Sequence, residues 1–271
     1  MSHRKGYIMP SVPLPVEILD RIFGFLASER NLTIVNCSKH PALSPFVERH
    51  LYYHLTVDTR RKGRRAGTFD PLYLANRISD NPQIPYYVRI LEIILKFHDD
   101  QKNAILRTTN LLSEFAKILV MFPTLESIML TDISFLFGWK FPAVFRIALE
   151  DCLSLPTLKE LHVDGGRFPI SLLNNCKNIS HLSLQGSLDP TSQNAEFALL
   201  PLKSLSLGAY ISVGCLKRHI KQLWSLKYKV GYLDTLLKLL EGCRRTLNKL
   251  EVNLTTEQYG KVFSLTVTPL Y

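Results

Sequence analysis

The sequence predicts an α/β protein in two parts: a short helical module at the amino terminus, then an irregular solenoid with a curved parallel sheet and helices on its convex side. Three observations carry this. Apolar residues between Leu14 and Val57 recur at helical spacing. From residue 88 onward the pattern apolar-x-x-apolar-x-apolar appears seven times. Helix-like segments separate the copies, so strands and helices alternate.

The first helix opens at Leu14-Pro15, because proline suits an opening turn whose N–H groups lack partners anyway. Glu17 sits near the positive end of the helix dipole. Leu14, Ile18, Leu19, Ile22, Phe25 and Leu26 form a wide apolar stripe, broadened by Phe23. Leu32, Ile34, Val35 and Cys37 suggest a second short helix, which His40-Pro41 ends. A third starts at Ser44-Pro45 and carries Phe46, Val47, Leu51 and Leu55. Three short helices this apolar cannot cover all their own surface, so some of it is expected to meet a partner.

Leu14-Pro15-x-Glu17-Ile18-Leu19-x-x-Ile22-x-x-x-Leu26, followed by Leu32 and Cys37-Ser38-Lys39, resembles an F-box. The resemblance implies that Leu14, Pro15, Ile18, Leu19, Ile22 and Leu32 face or support the Skp-type adaptor of an SCF ubiquitin ligase. Through that adaptor the chain would join a cullin ubiquitin ligase, and whatever follows the module would recruit a protein substrate. Where the family has a Trp, this chain has His40-Pro41. The alternative is therefore a ligase-independent interaction scaffold whose F-box has degenerated. The organisation expected is an F-box over 12–57, a basic linker and connecting helix over 58–87, and leucine-rich-repeat-like units over 88–271.

The linker holds Arg60-Arg61-Lys62-Gly63-Arg64-Arg65, a large part of a formal charge of +10. Such a run is either a solvated loop or a nuclear-localisation or polyanion-binding patch. Asp70-Pro71 starts another helix, with Leu72, Leu74, Ala75 and Ile78. The join that follows, Asn81-Pro82, Ile84, Tyr87-Val88-Arg89, Leu91 and Ile93, is similar to the entry into the leucine-rich array of many fungal F-box proteins.

The repeat triplets are Val88, Leu91, Ile93; Leu125, Ile128, Leu130; Leu158, Leu161, Val163; Ile179, Leu182, Leu184; Leu202, Leu205, Leu207; Leu223, Leu226, Tyr228; and Leu247, Leu250, Val252. The last five start 21 to 24 residues apart, the spacing of leucine-rich repeats, while the first two intervals, 37 and 33, hold insertions. Helices are expected over 112–121, 147–155, 171–176, 195–200, 215–223 and 233–243. Pro123, Pro156 and Pro201 fall between helix and strand, where a residue that cannot continue a helix is useful. Val262, Leu265 and Val267 suggest a closing strand or a truncated repeat.

If the triplets face the core, the alternate residues form a concave row. It contains Ser127, Met129 and Thr131; Glu160, His162 and Asp164; His181, Ser183 and Gln185; Ser204 and Ser206; Ser225, Lys227 and Lys229; and Lys249, Glu251 and Asn253. His162, Asp164, His181, Gln185, Lys227 and Lys229 are the candidate substrate contacts.

No phosphate loop, dinucleotide fingerprint, nucleophile elbow or HExxH motif is present, so neither catalysis nor a cofactor is expected. His50 and His54, four apart on an expected helix, with Asp58 as a candidate third ligand, are the nearest approach to a metal site; Asp58 lies beyond the strand-like Leu55 to Val57, and no metal is expected there. The five scattered cysteines argue for buried thiols rather than disulfides or zinc. No apolar run of membrane-spanning length and no signal-peptide core occurs, so a cytoplasmic or nuclear protein is expected. Nucleic acid is not an expected partner, since the concave row does not interleave aromatic and basic residues.

Overall fold

The computed structural model describes residues 14–29, 33–40, 42–58, 68–95, 102–131, 142–165, 167–188, 200–208, 220–230, 233–255 and 262–267. The helices are α1 (Val16–Ser28), α2 (Thr33–Cys37), α3 (Ser44–Leu51), α4 (Pro71–Asp80), α5 (Ile84–Tyr87), α6 (Lys102–Leu119), α7 (Ala143–Leu153) and α8 (Leu233–Cys243), with 3-10 turns at Ile170–Asn175 and Ile220–Gln222. The strands are β1 (His54–Asp58), β2 (Thr68–Phe69), β3 (Ile90–Ile94), β4 (Ser127–Thr131), β5 (Glu160–Val163), β6 (Arg167–Phe168), β7 (His181–Leu184), β8 (Ser187–Leu188), β9 (Ser204–Leu207), β10 (Ser225–Val230), β11 (Lys249–Thr255) and β12 (Val262–Val267).

Ten strands form one open sheet in the order β12-β11-β10-β9-β7-β5-β4-β3-β1-β2. All neighbours are parallel except β11 and β12. The α/β class and the parallel sheet follow the sequence pattern. β12 returns antiparallel because only the six residues 256–261 separate it from β11, too few for a parallel crossover. A second, two-stranded parallel pair joins β6 to β8 beside the main sheet. The chain leaves β5 for this pair through Gly165 at φ 87°, a left-handed turn that favours glycine.

The alternation is as the repeats demand. In β3, β5, β7 and β9 every second side chain is buried, with Leu91, Ile93, Leu161, Val163, Leu182, Leu184, Leu205 and Leu207 all 2% exposed or less. These meet Phe115, Ala116 and Leu119 of α6, Phe145, Leu149 and Cys152 of α7, Leu172 and Leu173 of the first 3-10 turn, and Leu236 and Leu239 of α8 in one continuous core. The two long intervals are explained: they accommodate α6, of 18 residues, and α7, of 11. Where the spacing falls to 21, the crossover over 171–176 shrinks to a 3-10 turn instead of an α-helix. The helices expected over 195–200 and 215–223 lie largely outside the described residues; of the latter only the turn Ile220–Gln222 and Leu223 are seen.

At the amino terminus α1, α2 and α3 pack together around Phe23, Ile34, Val47 and Leu51. Asp70 caps α4, its carboxylate accepting from the N–H groups of Leu72 and Tyr73, as the Asp-Pro start predicts. The stretch 58–87 also supplies strand β2, and β1 comes from the end of the stretch 12–57, so both contribute to the sheet. The basic run 60–65 lies outside the described residues.

Among the described residues Cys152, Cys176 and Cys243 are buried free thiols and Cys37 is half-buried, while Cys215 lies outside them. No helix among those residues is long and apolar enough to cross a membrane.

Candidate functional site

Two surfaces stand out, one at each layer of the molecule. The first is the outer face of α1. Leu14 and Phe25 are 53% and 64% exposed, and Ile18 and Ile22, 40% and 42%, lie between them at helical spacing. Pro15 is exposed at the N-cap of α1, one residue earlier than the helical position its sequence suggests. Leu19 and Leu26 turn inward and pack against the core behind Phe23. Thus, of the residues the F-box resemblance singles out, Leu14, Pro15, Ile18 and Ile22 share the exposed side and Leu19 supports it, whereas Leu32 lies outside the described residues. Phe25, the most exposed of the stripe, belongs to the same face by its i+3 relation to Ile22.

Polar contacts hold α1 in place. The Asp20 carboxylate bonds the His50 ring at 2.6 Å and the Arg49 guanidinium, both on α3. The His50 contact, then that of Arg49, holds the Asp20 carboxyl below the usual carboxylate range. A cavity of about 410 Å³ lies where this module meets the sheet, lined by Gly24, Ala27, Ser28, His50, Leu51, Tyr53, His54 and Ile90.

The metal arrangement considered for His50, His54 and Asp58 does not form. α3 ends at Leu51, and His54 opens strand β1, so the two histidines share no helix face. His50 is engaged by Asp20, and His54 lies 3.7 Å from the Glu92 carboxylate. Among the described residues no group of three or more metal-binding side chains occurs.

The second surface is the open face of the sheet. Parallel register aligns its side chains into ranks, with neighbours in a rank about 4.8 Å apart. One rank reads Thr56, Glu92, Met129, His162, Ser183, Ser206, Lys227 and Glu251. The rank before it places Glu160 beside His181, as equivalent positions in successive units require. Ser127, expected in the open row, is 4% exposed and is not available there.

The six candidate contacts fall into two groups. His162, Asp164, His181 and Gln185 gather on β5, β7 and the residues that follow them. Within this group the Glu160 carboxylate lies 3.5 Å from His162 Nε2, and the Ser180 hydroxyl pairs with His181 Nδ1 at 2.9 Å. The Gln185 amide donates to the Ser206 hydroxyl at 3.0 Å, reaching across to β9. Gly208 lies against this crossing: a Cβ there would sit 2.9 Å from the Gln185 carbonyl oxygen. Lys227 and Lys229 are on β10, three strand steps from His162, about 14 Å. Lys227 is tied to Glu251 at 2.7 Å, which holds that carboxyl below its usual range. Lys229 is exposed. Ser204 and Ser206 leave a shallow, small-side-chain strip between the two groups.

The sequence row began at β4 and so missed the face's far end. There the Thr56 hydroxyl donates to the Glu92 carboxylate at 2.9 Å; Thr56 and Asp58, 2% and 6% exposed, are as enclosed as Ser127, so Glu92 is the residue this end adds to the face. Glu92 held the place between Leu91 and Ile93 in the first repeat, which was the available signal.

Compared with known proteins, the chain matches no protein-family model, no curated protein and no solved structure.

Proposed function

We propose that the chain is a non-catalytic recognition subunit of an SCF-type ubiquitin ligase. The outer face of α1 docks on a Skp-type adaptor, and the open face of the sheet, as the inner surface of a curved leucine-rich-repeat solenoid, holds a protein target. The observation that carries the reading is the exposed apolar stripe Leu14, Ile18, Ile22 and Phe25 on a helix whose opposite side is anchored by Phe23. A surface of this kind is costly in water unless something covers it. The sequence of that helix, together with Leu32 and Cys37-Ser38-Lys39, supplies the identity of the partner by its resemblance to an F-box.

The mechanism is proximity. One end holds the adaptor and, through it, a cullin ligase; the other holds a target and raises the effective concentration of its acceptor lysine near the ubiquitin-charged enzyme. His162, Asp164, His181 and Gln185 offer mixed donors and acceptors to that target, and Lys227 and Lys229 offer charge. Such a protein works in the cytoplasm or the nucleus. The competing reading, a ligase-independent scaffold, draws on His40-Pro41 standing where the family has a Trp.

The test is a pull-down of the full chain with a fungal Skp-type adaptor, comparing wild type with the Ile18→Ala, Ile22→Ala double variant. Both residues are exposed, so the fold should survive their loss. Capture of wild type alone supports docking through α1; failure of wild type to bind moves the scaffold reading to first place.

A further inference from the structure

We infer that the strand-entry rim of the last units binds single-stranded nucleic acid, with Trp224 as its stacking platform. Lys203, Trp224 and Asn248 immediately precede β9, β10 and β11. The Trp224 N–H donates to the Lys203 carbonyl at 2.9 Å, and the Asn248 N–H donates to the Trp224 carbonyl at 2.8 Å. These bonds set the three residues in one row at the strand spacing, about 4.8 Å. Behind the row, the Thr246 hydroxyl donates to the Lys221 carbonyl at 3.1 Å, which brings the turn after α8, with Arg244 and Arg245, up to Lys221.

Trp224 is 54% exposed and, among the described residues, stacks on no other ring. Lys203, Lys221, Arg244, Arg245 and Lys249 are exposed too, and among the described residues none forms an ion pair. Over the described residues from 200 to 255 there are eight lysines and arginines against three carboxylates. Clustered cations in such excess raise the local potential and attract a polyanion. The indole narrows the choice of polyanion. An acidic peptide offers carboxylates but no flat partner, whereas each nucleotide brings a base to stack and a phosphate to pair. The interleaving of aromatic and basic residues that the open face lacks is present at its rim.

The chain has two tryptophans, so Trp139→Phe leaves Trp224 as the only indole reporter. A fluorescein-labelled twelve-nucleotide oligouridylate is titrated into this full-length chain, reading indole quenching and label anisotropy. The expected result is quenching with saturable binding. Trp224→Ala should weaken it about tenfold and Trp224→Phe should restore most of the loss. Removing Arg244 and Arg245 should reduce the slope of log affinity against log salt by about 1.4, since each single-strand phosphate contact contributes roughly 0.7. Lys117→Ala, on α6 and away from the rim, should leave the affinity unchanged. Unquenched fluorescence, equal affinity for Trp224→Ala, or equal competition by a twelve-residue polyglutamate would overturn the assignment. Adaptor capture by the Trp224→Ala chain should be unchanged, which keeps this site separate from docking through α1.

Discussion

Replacing Leu182 with alanine tests the register on which every surface assignment depends. Leu182 is central in β7, 2% exposed, with Leu161 of β5 and Leu205 of β9 as its register neighbours. Truncation removes three carbons from water-excluded surroundings, about 0.8 kcal/mol each, or ~2.5 kcal/mol. The cavity left between two fixed strands adds to this, for a total of about 3–4 kcal/mol. Ser183, one residue along, faces the opposite side, and Ser183→Ala should stay within about 0.5 kcal/mol of wild type. The assay is urea unfolding followed by far-ultraviolet circular dichroism. With a slope near 3 kcal/mol per molar, Leu182→Ala should lower the midpoint by about 1 M and Ser183→Ala should leave it in place. A neutral Leu182→Ala beside a damaging Ser183→Ala would mean a one-residue slip, which exchanges the two faces of the strand and refutes the assignment.

Two further outcomes follow from the electrostatics. The Asp20 carboxyl is depressed by His50 and Arg49, so its contribution to holding α1 on α3 is present above the ordinary carboxylate value and lost as pH falls through the lower, folded one. Protection of the α1 amides, relative to their intrinsic exchange rates, should therefore fall only in the acid range, and Asp20→Asn should show the lowered protection already at neutral pH; identical protection profiles would contradict the clamp. Burial pushes the Cys152 and Cys176 thiols up to about 12, leaving almost no thiolate at pH 8. Mass spectrometry after brief iodoacetamide treatment of the native chain should find both unmodified, with modification appearing in urea; rapid native labelling would show that they are not enclosed.

The parallel sheet was legible because the repeats follow their own physics. Each triplet, such as Leu161 and Val163 after Leu158, must bury its apolar side against the next unit, so the spacing survives even where the sequence between units varies. Strand β1 was legible only in part: Leu55 to Val57 reads as strand-like, but its place in the sheet does not show. His54-Leu55-Thr56-Val57-Asp58 has only three non-ionisable residues in a row, follows a helix, and pairs with residues 90–94. Nothing local in a pairing across more than thirty residues marks it as a sheet member. The same gap hides the pairing of Thr56 with Glu92, and the i, i+4 spacing of His50 and His54 reads as helical although α3 ends between them. The exposed side of α1 could be read from the spacing of Leu14, Ile18 and Ile22, but which apolar residues face out and which face in depended on the packing of α3. Leu19 and Phe25 look alike in a helical stripe, and only contact with Phe23 and the core separates them.

Calorimetric titration of a Skp-type adaptor into wild-type and Phe25→Ala chains tests the central claim most directly. Phe25 is 64% exposed, so of the 150–250 Å² a phenylalanine can bury, on the order of 130 Å² remains for a partner to cover. At about 25 cal/mol per Å² this amounts to ~3 kcal/mol, or roughly a hundredfold in affinity. The account predicts that loss with an unchanged urea midpoint. Equal affinities for the two chains, or no heat of binding with wild type, would contradict it.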